Sequence, residues 1–227
     1  MNRFKVPLIL LIVIAVLIGV DHLKKAAAEQ LSGTLEMTEH SVGAPVPGRL
    51  AEMLVEEGSP VKKGQRIATL DHFEQAKKDH DRLHELLKAG GADKQSVEHA
   101  FLAVRDQEII SPVDGIVMVK VREAGEVVGA GQAVAVIGDP SDRWVRVYVP
   151  EGKINRVAIG QKARLTFDGV KEPVTGAVSY IAPKAEFTPR NVQTAEERVT
   201  QTFAVKIRLE DTSVSAHPGV SADVELM

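Results

Sequence analysis

Apolar and polar positions alternate along most of the chain in short runs, and one such pattern occurs twice. Residues 44–70 and 111–137 match without a gap when the second copy is set 67 positions after the first. The identical pairs are Pro45/Pro112, Val46/Val113, Gly48/Gly115, Glu56/Glu123, Gly58/Gly125, Val61/Val128, Gly64/Gly131, Gln65/Gln132 and Ala68/Ala135. Self-similarity of this kind indicates that one folding unit occurs twice.

Each copy predicts short strands separated by turns. In the first copy the longer strand segments are 49–55 and 66–70, and glycines stand between them. A chain reverses most easily where glycine allows a positive φ. We therefore predict structural turns at six glycines: Gly48, Gly58, Gly64, Gly115, Gly125 and Gly131. Two such halves would pack face to face as a small β-sandwich over 44–70 and 111–138.

Residues 71–110, between the two copies, have helical rather than strand periodicity. Positions three and four residues apart form one stripe in each half of this insert: Phe73, Ala76, His80, Leu83 and Leu87, then Val97, Phe101, Val104 and Glu108. This spacing predicts an antiparallel coiled-coil hairpin that turns at Gly90 and Gly91. Asp93 or Ser96 can cap the second helix. Because His80 and Glu108 are polar, the hairpin needs support from the sandwich or from neighbouring copies of the chain.

The C-terminal part of the chain predicts a second β domain. The turn-forming residues 138–142 mark the boundary. Alternating segments after it predict a small closed β-barrel over 139–227, with strands at 144–149, 163–167, 174–181, 203–209 and 222–226. A short helix is predicted at 154–159, and the polar residues 182–201 predict an exposed loop.

The N-terminal residues 1–25 predict a membrane anchor. The run 6–20 is apolar, and Arg3 and Lys5 precede it, which favours an uncleaved signal anchor with its N-terminus inside. The alternative is a cleaved signal peptide with the small residues 26–28 as its site. Asp21 and the lysines at 24 and 25 lie before that site and disfavour cleavage. Both interpretations export the rest of the chain, in which 26–43 predicts a leading strand that joins the barrel or a membrane-proximal region.

Composition excludes several kinds of site. The chain has no cysteine, which excludes disulfides, thiolate zinc sites and cysteine nucleophiles. The net charge is −3, and no basic patch with interleaved aromatic residues supports nucleic-acid binding. His80, His84 and His99 could approach one another across the hairpin, but no pattern of residues would orient their rings for a metal. We predict neither a metal nor a cofactor.

The sequence also argues against catalysis. It contains no G-x-S-x-G, H-E-x-x-H or Walker motif. The alternative function is that of a biotin or lipoyl carrier domain in an enzyme complex, which needs an exposed lysine at the turn that joins the two halves. Here the helical insert occupies that joint, and the nearest lysine, Lys120, aligns with Met53 inside a strand. We therefore predict that the chain is not an enzyme.

Several segments resemble the HlyD-type membrane fusion proteins, which are the periplasmic adaptor subunits of multipartite efflux and secretion systems. They are 55–65 and 111–115 in the repeats and 149–151, 159–161 and 218–220 in the barrel. The stretch 185–194, with Glu197 and Arg198, resembles the branch of these adaptors that serves ABC-type exporters. The resemblance covers about residues 31–227.

This resemblance implies a mainly β fold: a lipoyl-like or biotinyl-carrier-like sandwich split by a short helical hairpin, followed by a β-barrel. The N-terminal transmembrane helix predicted from residues 1–25 precedes these domains. It implies a non-catalytic adaptor in the bacterial inner membrane, with one pass and most of the chain in the periplasm. The implied partners are an inner-membrane exporter, of ABC type with a permease and an ATPase, a TolC-type outer-membrane channel, and further copies of the chain in a ring, for which the family suggests a hexamer.

The resemblance also assigns a partner-binding role to the hairpin tip. Adaptors that dock onto TolC-type channels carry an arginine, a leucine four residues on and a serine seven further on. Arg82 and Leu86 match this pattern, and Asp93 stands at the third position. The implied contact residues are therefore Arg82, Leu86 and Asp93.

Overall fold

The structure, a computed structural model, describes residues 31–187, 201–211 and 216–227. The predicted anchor, the cleavage site and most of the predicted loop over 182–201 lie outside these residues. The chain divides into two compact units, one over Met37–Asp142 and one that combines Arg143–Met227 with the segment ending at Glu36. Strands β1 (Leu31–Gly43) and β8 (Ala133–Pro150) contribute residues to both units.

The unit over Met37–Asp142 contains the repeat. Its further elements are β2 (Gly48–Met53), β3 (Pro60–Val61), β4 (Arg66–Leu70), α1 (Phe73–Lys88), α2 (Lys94–Asp106), β5 (Glu108–Ile110), β6 (Gly115–Lys120) and β7 (Val127–Val128). In the first copy Leu50 of β2 lies opposite Leu70 of β4, and in the second copy Val117 of β6 lies opposite Ile137 of β8. Both partners are displaced by 67 positions, which confirms that one unit occurs twice.

The two copies complete each other's turns through exchanged backbone hydrogen bonds. The amide of Gly58 donates to the carbonyl of Val117 at 2.8 Å, and the amide of Gly125, its repeat partner, donates to Leu50 at 2.7 Å. In a second pair, the amide of Gly64 donates to the carbonyl of Ser111, and the amide of Gly131 donates to that of Ala44, both at 2.8 Å. Neither copy alone could satisfy these amides, so the halves are interlocked rather than merely stacked.

The core of this unit is aliphatic and follows the repeat. Equivalent positions of the two copies are buried together in pairs: Leu50/Val117, Val61/Val128, Ile67/Val134, Ala68/Ala135 and Leu70/Ile137. Because side chains alternate between the faces of a strand, a pattern repeated in register sends the same positions inward in both copies. The sandwich predicted from the repeat is confirmed.

Four of the six predicted glycine turns have the backbone that only glycine adopts readily. Gly58, Gly64, Gly125 and Gly131 have φ of 82°, 79°, 93° and 74°. The prediction is wrong for the other two, because Gly48 and Gly115 begin strands and have no positive φ. Their lack of a side chain serves close packing instead. A Cβ at Gly115 would lie 2.4 Å from the carbonyl oxygen of Gly138, and one at Gly48 would lie 3.3 Å from Cδ1 of Leu70.

Replacing Gly131 by valine should lower the free energy of unfolding by more than about 1 kcal/mol, because a branched side chain at positive φ is strained. The same loss is expected at Gly58, Gly64 and Gly125. Urea unfolding followed by circular dichroism measures it. Ala130→Val is the control, since Ala130 is exposed in the same turn and its φ is not positive. Equal stability of Gly131→Val and Ala130→Val would contradict the role of the turn.

The second unit is a closed antiparallel barrel. Its remaining elements are α3 (Glu151–Ile154), β9 (Lys162–Phe167), β10 (Val174–Ile181), β11 (Glu186–Phe187), β12 (Gln201–Leu209) and β13 (Ser221–Leu226). Neighbouring strands follow the order β12-β10-β9-β13-β1-β8, and β8 pairs again with β12, which closes the barrel. Its interior is apolar and includes Leu35, Val147, Leu165, Phe167, Val205, Ile207 and Val224.

All the predicted barrel strands are present, and β1 adds one more. Two local predictions are wrong. The helix predicted at 154–159 lies at Glu151–Ile154, where Pro150 is its N-cap residue and its fixed φ suits a helix start. The predicted turn at 138–142 is part of the continuous strand β8. Asp139 accepts hydrogen bonds from the amide and hydroxyl of Ser141, as in an Asx turn, and Thr38 donates to Asp142, so these polar side chains are satisfied while the strand continues.

Candidate functional site: the hairpin tip

The tip of the hairpin is a short loop with defined caps on both sides. Helix α1 ends in a Schellman motif, in which the amide of Gly91 donates to Leu86 at 2.8 Å and that of Gly90 donates to Leu87 at 3.1 Å. Gly90 has φ of 78° and Gly91 has no positive φ. The turn predicted at this glycine pair therefore depends on Gly90 for its left-handed residue.

Helix α2 begins at an aspartate cap. One carboxylate oxygen of Asp93 accepts the amide of Ser96 at 2.8 Å, and the other accepts the Ser96 hydroxyl at 2.8 Å. These hydrogen bonds hold the pKa of Asp93 below its ordinary value. Of the two caps that the sequence left open, Asp93 is the one used. Its side chain stabilises the start of α2, so a binding role would come in addition to a structural one.

The three predicted contact residues lie at the tip but do not contact one another through a hydrogen bond. Leu86 and Asp93 flank the loop of Gly90 and Gly91, and the Leu86 side chain is 42% exposed. Arg82 lies one turn earlier on α1, and its guanidinium donates to Asp79 at 2.9 Å. The tip therefore presents the exposed Leu86, one helical turn after Arg82, which is ion-paired with Asp79 on the same helix.

The helices run antiparallel, as predicted, and residues from the start of α1 and the end of α2 line one groove at the base, among them Ala76 and Ala103. Phe73 is buried at that base. The predicted seam is wrong at Glu108, because α2 ends at Asp106 and Glu108 lies in β5. The Glu108 carboxylate forms an ion pair with Arg66 at 2.8 Å.

The middle of the hairpin leaves apolar side chains in solvent. Phe101 was predicted inside the seam but is 48% exposed, and its ring centre lies 5.9 Å from that of the half-buried His80. Leu102 is 45% exposed, and the sequence did not single it out because it lies off the predicted stripe. A prediction that also considered the apolar residues next to the stripe would have found it. Together with Leu86, these residues give the hairpin exposed apolar surface.

The histidines of the hairpin stack rather than converge. The rings of His80 and His84 have centroids 6.0 Å apart and lie nearly parallel, and His80 Nδ1 is 3.3 Å from Asp81. Among the described residues, no group of three or more histidine, aspartate or glutamate side chains could hold a metal ion.

Lys120, the nearest lysine to a carrier position, is engaged in the sandwich. Its ammonium lies 2.8 Å from a carboxylate oxygen of Glu56 and 3.1 Å from one of Glu123, which are repeat partners of each other. The hydrogen bonds with Glu56 and Glu123 raise the pKa of Lys120. Only 15% of its side chain is exposed, so the lysine is tied to both halves and is not a free arm.

Comparison with known proteins decides the family. Residues 38–140 match the family model "RND MFP, barrel-sandwich hybrid domain", and residues 143–227 match "CusB-like, beta-barrel domain". The chain belongs to the membrane fusion proteins. The two matches abut at the boundary between the compact units, and the family is one of adaptors in multipartite transport systems.

Relatives and solved structures agree with this family. A UPF0194 membrane protein of Acidithiobacillus ferridurans is 33% identical over 117 residues, which are 51% of this chain and 35% of that protein, so the chain spans about a third of its length. The membrane fusion protein Spr0693 of Streptococcus pneumoniae R6 aligns with a TM-score of 0.59 at 18% identity, over 88% of this chain and 99% of that one. ZneB of Cupriavidus metallidurans aligns with a TM-score of 0.54 at 21% sequence identity, over 87% of this chain and 96% of that one.

Within the described residues, no helix combines the length and the apolar character needed to cross a bilayer. The predicted anchor lies outside them.

Proposed function

We propose that this chain is a non-catalytic periplasmic adaptor that links an inner-membrane exporter to the outward path for efflux or secretion. The observation that carries the proposal is the architecture of a membrane fusion protein: an interlocked repeat, interrupted by an exposed hairpin and followed by a barrel. The hairpin leaves Leu86, Phe101 and Leu102 between 42% and 48% exposed. An adaptor would use such a surface for contacts with other subunits.

The carrier alternative has little support. A carrier lysine must swing between active sites, whereas Lys120 forms two ion pairs and ends a strand. The joint between the halves, where a carrier turn would lie, is the hairpin of α1 and α2. We therefore propose no catalysis by this chain, and the energy for export comes from its partner.

For the exporter we propose an ABC-type permease with its ATPase, on the resemblance of residues 185–194. Of that stretch the structure describes the start, where β11 pairs with the first residues of β12. A second candidate, a pump of the RND type, is favoured by the name of the model that matches residues 38–140. Both candidates share the adaptor role and differ in whether the partner complex contains an ATPase.

We propose further that copies of the chain form a ring, with a hexamer as the family's suggestion, and that the tip reaches a TolC-type outer-membrane channel. The location is the bacterial inner membrane, with a single N-terminal pass and the bulk of the chain in the periplasm. The exposed Phe101 and Leu102, adjacent on α2, support contacts between copies, because exposed apolar patches mark protein–protein interaction sites.

Crosslinking in intact cells, followed by affinity purification of the tagged full chain, should recover an integral-membrane permease together with an ATPase. Mass spectrometry identifies both. Recovery of a proton-driven pump without an ATPase would keep the adaptor role and favour the second candidate. Recovery of biotinylated or lipoylated chain with a soluble enzyme complex would contradict the adaptor proposal.

A further inference from the structure

One turn of the barrel exposes an isoleucine that the turn itself does not require. Three four-residue turns of the chain are built alike, and each has a glutamine as its fourth residue. The backbone amide of this glutamine donates to the carbonyl of the first residue of the turn, and its side-chain oxygen accepts the backbone amide of that same residue. The third residue of each is a glycine with positive φ: Gly64, Gly131 and Gly160. The second residue is Lys63, Ala130 or Ile159.

Ile159 is the apolar member of this set and is 63% exposed. Lysine and alanine at the same place show that the turn does not require a branched apolar side chain. Among the described residues, Ile159 and Met227 are the two most exposed large apolar side chains of the barrel unit, and Met227 is 57% exposed. The carbonyl of Met227 accepts from the Gln161 side chain at 3.3 Å, so both side chains lie at the same end of the barrel.

The same end has an apolar cavity bordered by cations. The cavity has a volume of about 90 Å³ and is lined by Leu31, Val149, Val157 and Leu226, with Lys153 and Arg156 beside them. Both cationic side chains are exposed. At the start of β10, Glu172, Glu210 and Asp211 line a groove, and Glu210 forms an ion pair with Lys162. Exposed Glu151 also lies in α3, so the cavity end carries both signs of charge, with Lys153 and Arg156 next to the cavity.

The chain enters the barrel at the cavity end, since Leu31 begins β1 and lines the cavity. Between the predicted anchor run 6–20 and Leu31 are the residues 21–30. An extended segment of that length reaches at most about 35 Å. If the run inserts into a bilayer, this end of the barrel is held close to the membrane surface, and lipid becomes the nearest large partner.

We infer that this end of the barrel docks on an anionic phospholipid surface. Ile159 and Met227 enter the headgroup boundary, and Lys153 and Arg156 lie among the lipid phosphates. Apolar side chains flanked by cations bind anionic bilayers in this way, and each cation near the surface strengthens binding about fivefold. This inference rests on the predicted anchor and not on the identity of the exporter.

The absence of cysteine allows a site-specific test on the full chain. Ile159→Cys and, as the control near the start of β10, Glu172→Cys each carry a bimane label. The protein is placed in nanodiscs of phosphatidylcholine, alone or with about one third phosphatidylglycerol, that contain a lipid quencher near the headgroups. Quenching at position 159 should exceed that at 172 at least about threefold, only with phosphatidylglycerol, and should fall in high salt.

Removing the two cations tests the charge contribution directly. In the labelled Ile159→Cys chain, Lys153→Gln with Arg156→Gln should lower the ratio of docked to undocked barrel by roughly thirtyfold. Lys62→Gln with Lys63→Gln removes the same charge from the sandwich and should leave the quenching unchanged.

Three outcomes would overturn the inference: equal quenching at 159 and 172, quenching that ignores phosphatidylglycerol, or failure of the chain to remain in the discs. Quenching at 159 that appears only after exporter is added would assign this end to a protein instead. The discs contain no exporter in the main experiment, so failure of the adaptor proposal would not change its result.

Discussion

Gly115→Ala should destabilise the sandwich by about 2–3 kcal/mol, which is the cost of overpacking a site that cannot relax. The added Cβ would lie 2.4 Å from the carbonyl oxygen of Gly138 and 2.7 Å from Cγ2 of Ile137. Gly138 belongs to β8, and Ile116, next to Gly115, pairs with it. A backbone oxygen held in a strand pair cannot move aside as the end of a side chain can. Urea unfolding of the full chain measures the loss.

Two matched variants separate this clash from the general effect of replacing glycine. Gly48, the repeat partner of Gly115, would place its Cβ 3.3 Å from the flexible end of Leu70, so Gly48→Ala should lose less than about 1 kcal/mol. Gly152, which has no atom within 4 Å of its Cβ position, lies in helix α3, and Gly152→Ala should not destabilise. Equal losses at Gly48 and Gly115 would show that the two copies pack identically there, contrary to the structure.

Arg82→Asp combined with Leu86→Ser should abolish export while the chain still folds, inserts and self-associates. Leu86 is already 42% exposed and Arg82 lies on the helix surface, so their replacement removes little that the hairpin needs. What it removes is the apolar and cationic surface beside the loop at Gly90 and Gly91. Export of the system's cargo is measured in cells, together with membrane abundance and sedimentation of the purified chain.

Asp93→Ser is the control for this experiment. Serine also caps helices, so α2 should keep its start, and serine is the residue that channel-docking adaptors carry at this position. We expect export to persist in Asp93→Ser. Normal export in the double variant would mean that the tip has no channel partner and that the short hairpin serves the assembly of the ring.

The repeat is the part of the fold that the sequence predicts best, because each glycine turn and each inward position occurs twice in register. Gly58, Gly64, Gly125 and Gly131 adopt positive φ as predicted. The helical stripe of residues 71–110 likewise predicts the hairpin, except for its last turn. Glu108 continues the spacing of three and four, yet it lies in β5 because its neighbour Ile109 is buried in the sandwich.

The candidate site could be predicted only in part. The positions of Arg82 and Leu86 before the glycine turn follow from helical spacing, and Asp93 follows from capping chemistry. Which of Asp93 and Ser96 caps the helix depends on the backbone conformation at the start of α2. How exposed Phe101 is depends on how the two helices pack. The barrel end with Ile159, Lys153 and Arg156 could not be found from sequence, because residues from β1, α3, a turn and β13 meet there only after the barrel closes.

The sequence by itself determined the duplicated unit, the helical insert and the strands of the barrel, since these depend on local periodicity and on glycine's freedom at turns. The tertiary structure alone decided how the copies differ. After Leu70 the chain leaves the sheet into α1, whereas after Ile137, its repeat partner, β8 continues as a strand through Gly138. That continuing backbone closes over Gly115, whereas a Cβ at Gly48 would meet the side chain of Leu70. A sequence repeat cannot show this difference, because close packing depends on what each copy meets in space and not on its own residues.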